Sequence, residues 1–478
     1  MDSEDLTEVA DVHSALNRAR VRIIRPGSAE DVAGCVQRAV ADGRPVSIAG
    51  GRHAMGGQQF LDGHDLLDLR GLDRILGFDH ECGLVRAQAG IQWPALVEGI
   101  HEAQRCLEPG AAPRWGIAQK QTGANNLTLG GALAANIHGR GLLMPPFVGD
   151  VECFTLIDAN GQQRTCSRQE NAELFFLAIG GYGLFGVVTD VTLRLAPRRV
   201  LRRLVRVIDI EDAVPAAERR IREGYLYGDF QFDVDPDSPD FLTKGVFCGY
   251  RPIDDDRQPP EGQRSLSSDD WLDLLTLAHT DKRQAFTRYA QHYLATDGQL
   301  YQSDTHQLSE YLDDYHPQID ARLGATCRGS EVITELYVAP DRLVGFLHAA
   351  ARLLTEQRAQ VIYGTIRLIQ PDTETVLAWA RQRSACVIFN LHVDHTTHTI
   401  NRAAGTFRDL IDLAADMGGS YFLTYHRWAT PEQLERCYPR AHEFFAAKRR
   451  LDSRGIFDSD WHRHYAPHFS TKRVATHD

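Results

Sequence analysis

The chain has 478 residues, 43% of them hydrophobic and 24% charged, which suits a globular protein with a sizeable core and room for two domains. A formal charge of −12 excludes the basic face that nucleic acid or an anionic membrane requires, so neither is an expected partner. The opening "MDSEDLTEVADVHSALNRAR" is acidic and lacks a signal-peptide layout, and no apolar run reaches bilayer length, so no membrane span and a cytoplasmic location are expected. The nine cysteines are odd in number and show no CxxC spacing, which predicts reduced, mostly buried thiols.

In chain order, "VRIIRPGS" reads as strand and turn, and "AEDVAGCVQRAVADG" as an amphipathic helix closed by glycine. "PVSIAGG", "DLLDLRGL" and "GLVRAQAGI" read as strands, "WPALVEGIHEAQ" as a helix, and "DVECFTLIDANGQQRTCS" as a hairpin with "NG" at its positive-φ turn. After "VTDVTLRLAPRR" the composition shifts to acidic, loop-rich stretches such as "DVDPDSPD" and "RPIDDDRQPPEGQRSLSSDD", which places a domain boundary near residue 197. From 331 to 425, strands alternate with one long helix, "RLVGFLHAAARLLTEQRA". The pattern predicts an α+β fold with an antiparallel sheet in the second domain. The tail from "PEQLERCYPRAHEFF" is helical, then polar and aromatic.

"GYGLFG" at 181–186 fits the dinucleotide pattern G-x-G-x-x-G, but a helix-like "NAELFFLAIG" precedes it and a strand follows. That is the reverse of the order a nicotinamide site needs. There is no G-x-S-x-G elbow and no P-loop, so hydrolase and nucleotide-triphosphatase readings lack an anchor. Two other stretches, "SIAGGRHAMGG" and "TGANNLTLGGALAANIHGRG", put glycines where backbone N–H groups can press against phosphate oxygens. Either alone reads as a tight turn; together, each with a histidine, they point to one extended anionic ligand held between them.

These stretches, with "RPGSAEDVAGCV", "ELFFLAIGGYGLFGVVTDVTLRL" and "KRRLDSRGIFDSDW" in order, resemble the FAD-linked oxidoreductases of the vanillyl-alcohol-oxidase or p-cresol-methylhydroxylase type. The likeness covers roughly 20–197 and the C-terminal tail. It implies an FAD-binding domain over 1–197, a substrate domain over 198–422, and a segment 423–478 that returns to the FAD domain. It assigns cofactor contacts to Gly50, Gly51, Arg52, His53, Ala54 and Gly57, to Gly123, Thr128, Gly130, Gly131, Asn136 and Gly139, and to Gly186 and Val187. "GGRHA" is similar to the stretch of alditol and aldonolactone oxidases in which the histidine is bonded to the flavin, so the resemblance implies FAD attached through His53. The residues themselves leave open a turn histidine that packs beside flavin without a bond. No cysteine lies in 110–140, so a second, cysteinyl attachment is not expected.

The region from 331 onward resembles decaprenylphosphoryl-ribose oxidase. That likeness matches His138 to an active-site histidine, and Arg367 and Tyr425 to two positions where the relative has lysine. Hydride removal from a carbinol needs an aimed C–H bond and a group to receive the hydroxyl proton. The candidates are His138, Tyr425, Arg427, Arg367 and Asn390, with Glu335 a weaker one. If "SYFLTYHRW" is a strand, Tyr425 and Arg427 share a face and His426 takes the other; Asn390 and His392 likewise share one. "HVDHTTH" (His392, Asp394, His395, His398) invites a metal reading, but its spacing favours a solvated loop, and no metal is expected. The resemblance implies oxidation of a hydroxylated small molecule such as a sugar or polyol, with dioxygen or another acceptor taking the electrons. A sterol-reductase-like C=C reductase and a non-catalytic flavin-binding protein are the alternatives.

Overall fold

A computed structural model describes residues 6–253, 258–308 and 315–470. Its strands form three substantial sheets and one two-stranded pair. The first sheet joins Thr7–Ala10, Arg18–Ile24, Asp65–Asp68 and Val46–Ala49, with the last three parallel. It is covered by the helix Ala29–Asp42, which starts where the Ser28 side chain accepts from Asp31 N–H and stops at left-handed Gly43, burying Val32, Cys35, Val36 and Ala39. The second sheet orders Ile75–Asp79, Leu84–Gln88, Val187–Arg194, Val151–Ile157 and Gln163–Ser167, all antiparallel. Its 151–167 hairpin has the expected turn, although only Gly161, and not Asn160, has positive φ.

The third sheet has eight antiparallel strands, ordered Leu300–Gln302, Val200–Asp209, Lys244–Pro252, Tyr227–Phe232, Gln360–Ile369, Ser384–Asp394, Gly329–Val338 and Ser420–Tyr421. The α+β class and this antiparallel third sheet are as the sequence indicates. Within 201–300, "DVDPDSPD" is a turn in which Asp233 and Asp235 carboxylates accept backbone N–H groups, while Ile210–Arg222, Ser268–Thr280 and Lys282–Leu294 are helices. Residues 254–257 of the second acidic stretch lie outside the described residues.

Two elements differ from expectation. Thr397–Asp416 is a second long helix in the 331–425 region, so the histidine stretch ends as a helix start, capped by Thr396, and not as a loop. Its buried Ala403, Ala404, Phe407, Leu410, Ile411, Ala414 and Ala415 carry the helical period that a run of Thr, Asn and Gly at its start obscures. "SYFLTYHRW" is a strand only at Ser420–Tyr421; residues 423–424 and 427–428 are turns, so strand alternation does not govern Tyr425, His426 and Arg427. "GYGLFG" lies between the helix Ala172–Ala178 and the strand Val187–Arg194, the element order the sequence indicates, with Gly180, Gly183 and Gly186 at positive φ. All nine cysteines are free, five of them buried. Among the described residues no helix is long and apolar enough to cross a membrane.

The C-terminal segment is hydrogen-bonded to the first glycine loop and its strand: Val46 N–H donates to Ile456 (2.8 Å), Met55 N–H to Thr424 (2.8 Å), and Asp460 N–H to Phe60 (2.7 Å).

Candidate active site

A cavity of about 340 Å³ is bounded on one side by the glycine loops and on the other by the eight-stranded sheet. The glycine wall forms because its chains approach too closely for side chains. A Cβ on Gly50 would overlap Thr128 Oγ1, one on Gly51 would overlap the Asn126 carbonyl, and one on Gly130 would stand 2.9 Å from the Ala89 Cβ. Thr128 caps the short helix Leu129–Ala135 by accepting from Gly131 N–H, so the two glycine motifs are one packed unit. Arg52, at φ 57, lies on this wall beside His53.

His53 is buried on the wall, and neither ring nitrogen has a hydrogen-bond partner. Burial first, then His13 beside it, pushes this imidazole well below its ordinary 6.5, so the ring is neutral and nucleophilic at physiological pH. Arg52 Nε, Gln59 Oε1 and Gln121 Oε1 are also buried on this wall without partners. Unpartnered buried polar atoms are costly, and a row of them along a glycine cradle fits a large polar cofactor such as FAD. Gly50, Gly51, Arg52, His53, Ala54, Gly123, Thr128, Gly130, Gly131 and Gly186 line the cavity.

Four expected cofactor residues do not. Asn136 is fully buried, with its amide donating to Asp372 (2.9 Å) and accepting from Val148 N–H (2.9 Å), while its carbonyl accepts from Trp379; it is a helix cap at φ 48. Gly139 packs on Lys120, Val187 is buried in its strand, and Gly57 sits at φ 79 against Arg427. Arg427 donates to the Gly56 carbonyl (2.9 Å), so it braces the glycine loop from behind. His426 is also off the wall, stacked on Trp428 at 4.1 Å.

The sheet floor is set by register. Glu335, Ile388 and Thr365 are aligned across three strands, as are Ile333, Asn390 and Tyr363, and then Glu331 and His392 with Gln360. Arg367, Asn390 and Tyr425 all face the cavity. Arg367 is only 5% exposed, and its Nε and Nη1 have no partner. His138 does not line the cavity. Its Nδ1 lies 3.0 Å from the Gly139 carbonyl and its Nε2 meets Glu335 Oε1, under Trp379. That enclosure removes it from direct contact with a ligand.

Glu335 becomes the hub that its weak sequence signal hid. One oxygen accepts from Tyr337 and Cys386, the other from Tyr425 Oη (3.0 Å). Burial alone would raise this carboxyl, but the charge and hydrogen bond of His138, then Tyr337 and Arg367, hold it at about 2. Burial and Glu335 together push Tyr425 well above its ordinary 10, so Tyr425 is a neutral phenol with its proton aimed at Glu335 and its lone pairs free for a ligand. Lys120, passed over in the sequence, is fully buried near this end; burial first, then Arg140 and Arg367, lowers it to about 7.

Residues 21–167 match the family model described as an FAD binding domain. The chain is 24% identical to L-gulono-1,4-lactone dehydrogenase of Mycobacterium tuberculosis over 92% of its length and 95% of the relative. It is 31% identical to cytokinin dehydrogenase 4 of Oryza sativa over 39% of the chain, and 30% identical to glucooligosaccharide oxidase of Sarocladium strictum over 34%. The last two alignments span only about a third of those relatives, 35% and 31%. Residues 21–167 thus form an FAD-binding domain of the p-cresol-methylhydroxylase type.

Proposed function

We propose that the protein is an oxidase or dehydrogenase that oxidises a carbinol of a sugar, polyol or related hydroxylated molecule, with FAD bonded to His53. Residues 1–197 and 423–478 hold the cofactor in this reading, and 198–422 supply the floor. The observation that carries it is the single cavity joining an unpartnered, neutral His53 on a glycine wall to Arg367, Asn390 and Tyr425 on the opposite floor. The full-length similarity to L-gulono-1,4-lactone dehydrogenase supports it, because that alignment extends over the floor, whereas the cytokinin dehydrogenase match spans 39% of the chain.

Bound FAD supplies a two-electron acceptor for hydride. The chain's own residues then have defined tasks. Tyr425 Oη, its proton committed to Glu335, accepts the hydrogen bond of the substrate hydroxyl. Arg367 offers its two free N–H groups to the oxygen as negative charge develops on it. Asn390 fixes a second polar group of the substrate. Glu335, ionised down to about pH 2, is too weak a base to keep the proton, so the hydroxyl proton is released to water in the cavity as hydride leaves the carbon; Glu335 orients Tyr425, and His138 orients Glu335.

Acid precipitation of the purified protein tests the cofactor part: yellow colour stays with the pellet, and passes to the supernatant in His53→Ala. Anaerobic mixing with polyols and aldonolactones tests the reaction, and bleaching of flavin absorbance is expected. Bleaching by NADPH and by no alcohol would favour the C=C reductase, and no bleaching by either the non-catalytic reading.

A further inference from the structure

Four residues from the Glu335 end of the floor, about 13 Å along the strand, stands a second buried carboxylate, Glu331, with imidazoles around it from three separate segments. His279 comes from the helix Ser268–Thr280, His316 from the helix His316–Leu323, and His392 from the strand opposite Glu331. Glu331 Oε1 lies 3.2 Å from His279 Nε2 and 3.4 Å from His392 Nδ1, and all three ligand atoms fall within 4.8 Å of one another. Zinc bonds of 2.0–2.2 Å set tetrahedral ligand atoms about 3.3–3.6 Å apart, and the two edges at Glu331 Oε1, 3.2 and 3.4 Å, lie at or just below that range.

Two further observations separate this cluster from an ordinary ion pair. The His279 side chain is only 7% exposed, and its Nε2, 3.2 Å from Glu331 Oε1, makes no well-aligned hydrogen bond. The other carboxylate oxygen is held from the cavity side: Tyr315 Oη donates to Oε2 (2.7 Å), and His316 Nε2 lies 2.5 Å from it. Such outer partners orient metal-binding carboxylates.

We propose that His279 Nε2, His392 Nδ1 and Glu331 Oε1 bind one divalent transition cation of the zinc class. Of the three proposed ligands Glu331 lines the cavity, and so do Tyr315 and His316 on its other oxygen, so the ion sits behind the floor and ties the helix Ser268–Thr280 to the sheet. The donor set of two imidazoles and one carboxylate is that of open metal sites. The assignment needs no flavin, and it stands or falls apart from the reading of the reaction.

The test uses full-length protein without a histidine tag, stripped with chelator and titrated with zinc chloride by equilibrium dialysis and elemental analysis. One zinc per chain is expected at micromolar concentration. Glu331→Gln, His279→Asn and His392→Gln should each weaken binding by at least about tenfold, whereas exposed His398→Ala should not change it. Flavin absorbance and circular dichroism confirm the fold of each variant. A wild-type stoichiometry near zero overturns the proposal regardless of the variants, and so does undiminished binding in folded Glu331→Gln and His392→Gln.

Discussion

Along the glycine wall of the cavity, Gly50, Gly51 and Gly130 let two loops touch, and the polar atoms left facing inward on Arg52 and His53 have no protein partner. Along the sheet floor the opposite holds at its two ends: Glu335 and Glu331 are each surrounded by four side-chain partners drawn from distant segments. The wall is built to be completed by something bound. The floor is already an electrostatic network, and Arg367 is the group in it that still reaches outward with free N–H groups. A wall of backbone tolerates loss of a side chain and not the addition of one, whereas a buried charge network tolerates neither.

Breaking the network should have the largest effect. His138→Ala strands the Glu335 carboxylate in a buried site and is expected to destabilise the fold by about 3–5 kcal/mol, read from chemical unfolding; a change below 1 kcal/mol would show that the other partners suffice. Arg367→Ala should lower the rate constant for flavin reduction by roughly 10²–10³-fold with the flavin spectrum unaltered, since the side chain faces the floor and not the cofactor loops. Acid sharpens the same contrast. Glu335 is held at about 2 against its ordinary 4.5. The stability it contributes, about 3 kcal/mol, is therefore fully present above pH 4.5 and lost as pH falls toward 2. Glu335→Gln should flatten that part of the stability profile.

On the wall, Gly50→Ala must displace Thr128 and is expected to cost about 1–3 kcal/mol together with cofactor affinity, measured as melting temperature and flavin content. Equal flavin content in the variant would remove the loops' packing from the cofactor argument. Tyr425→Phe is the mildest change, expected to raise the apparent substrate constant by roughly 2–10-fold through loss of one hydrogen bond worth about 0.5–1.5 kcal/mol.

The sequence by itself determined the glycine wall, because its requirements are local. Consecutive residues that must turn sharply or touch another backbone are glycine wherever they occur, and "GGRHA" and "TLGGALAANIHGRG" state that within a few positions each. It also determined the α+β class and the reversed context of "GYGLFG", both carried by period and element order. Only the tertiary structure decided which side chains meet. Glu335 has one neighbour of note in sequence, Tyr337, and finds His138, Cys386 and Tyr425 through strand pairing and a turn after Tyr421. Glu331 finds His279, His316 and His392 in the same way, and of these three "HVDHTTH" contains His392. Tyr425, His426 and Arg427 take three different directions because the chain turns where alternation predicts a strand. Pairing across a sheet is a contact between residues tens to hundreds of positions apart, and no local spacing encodes it.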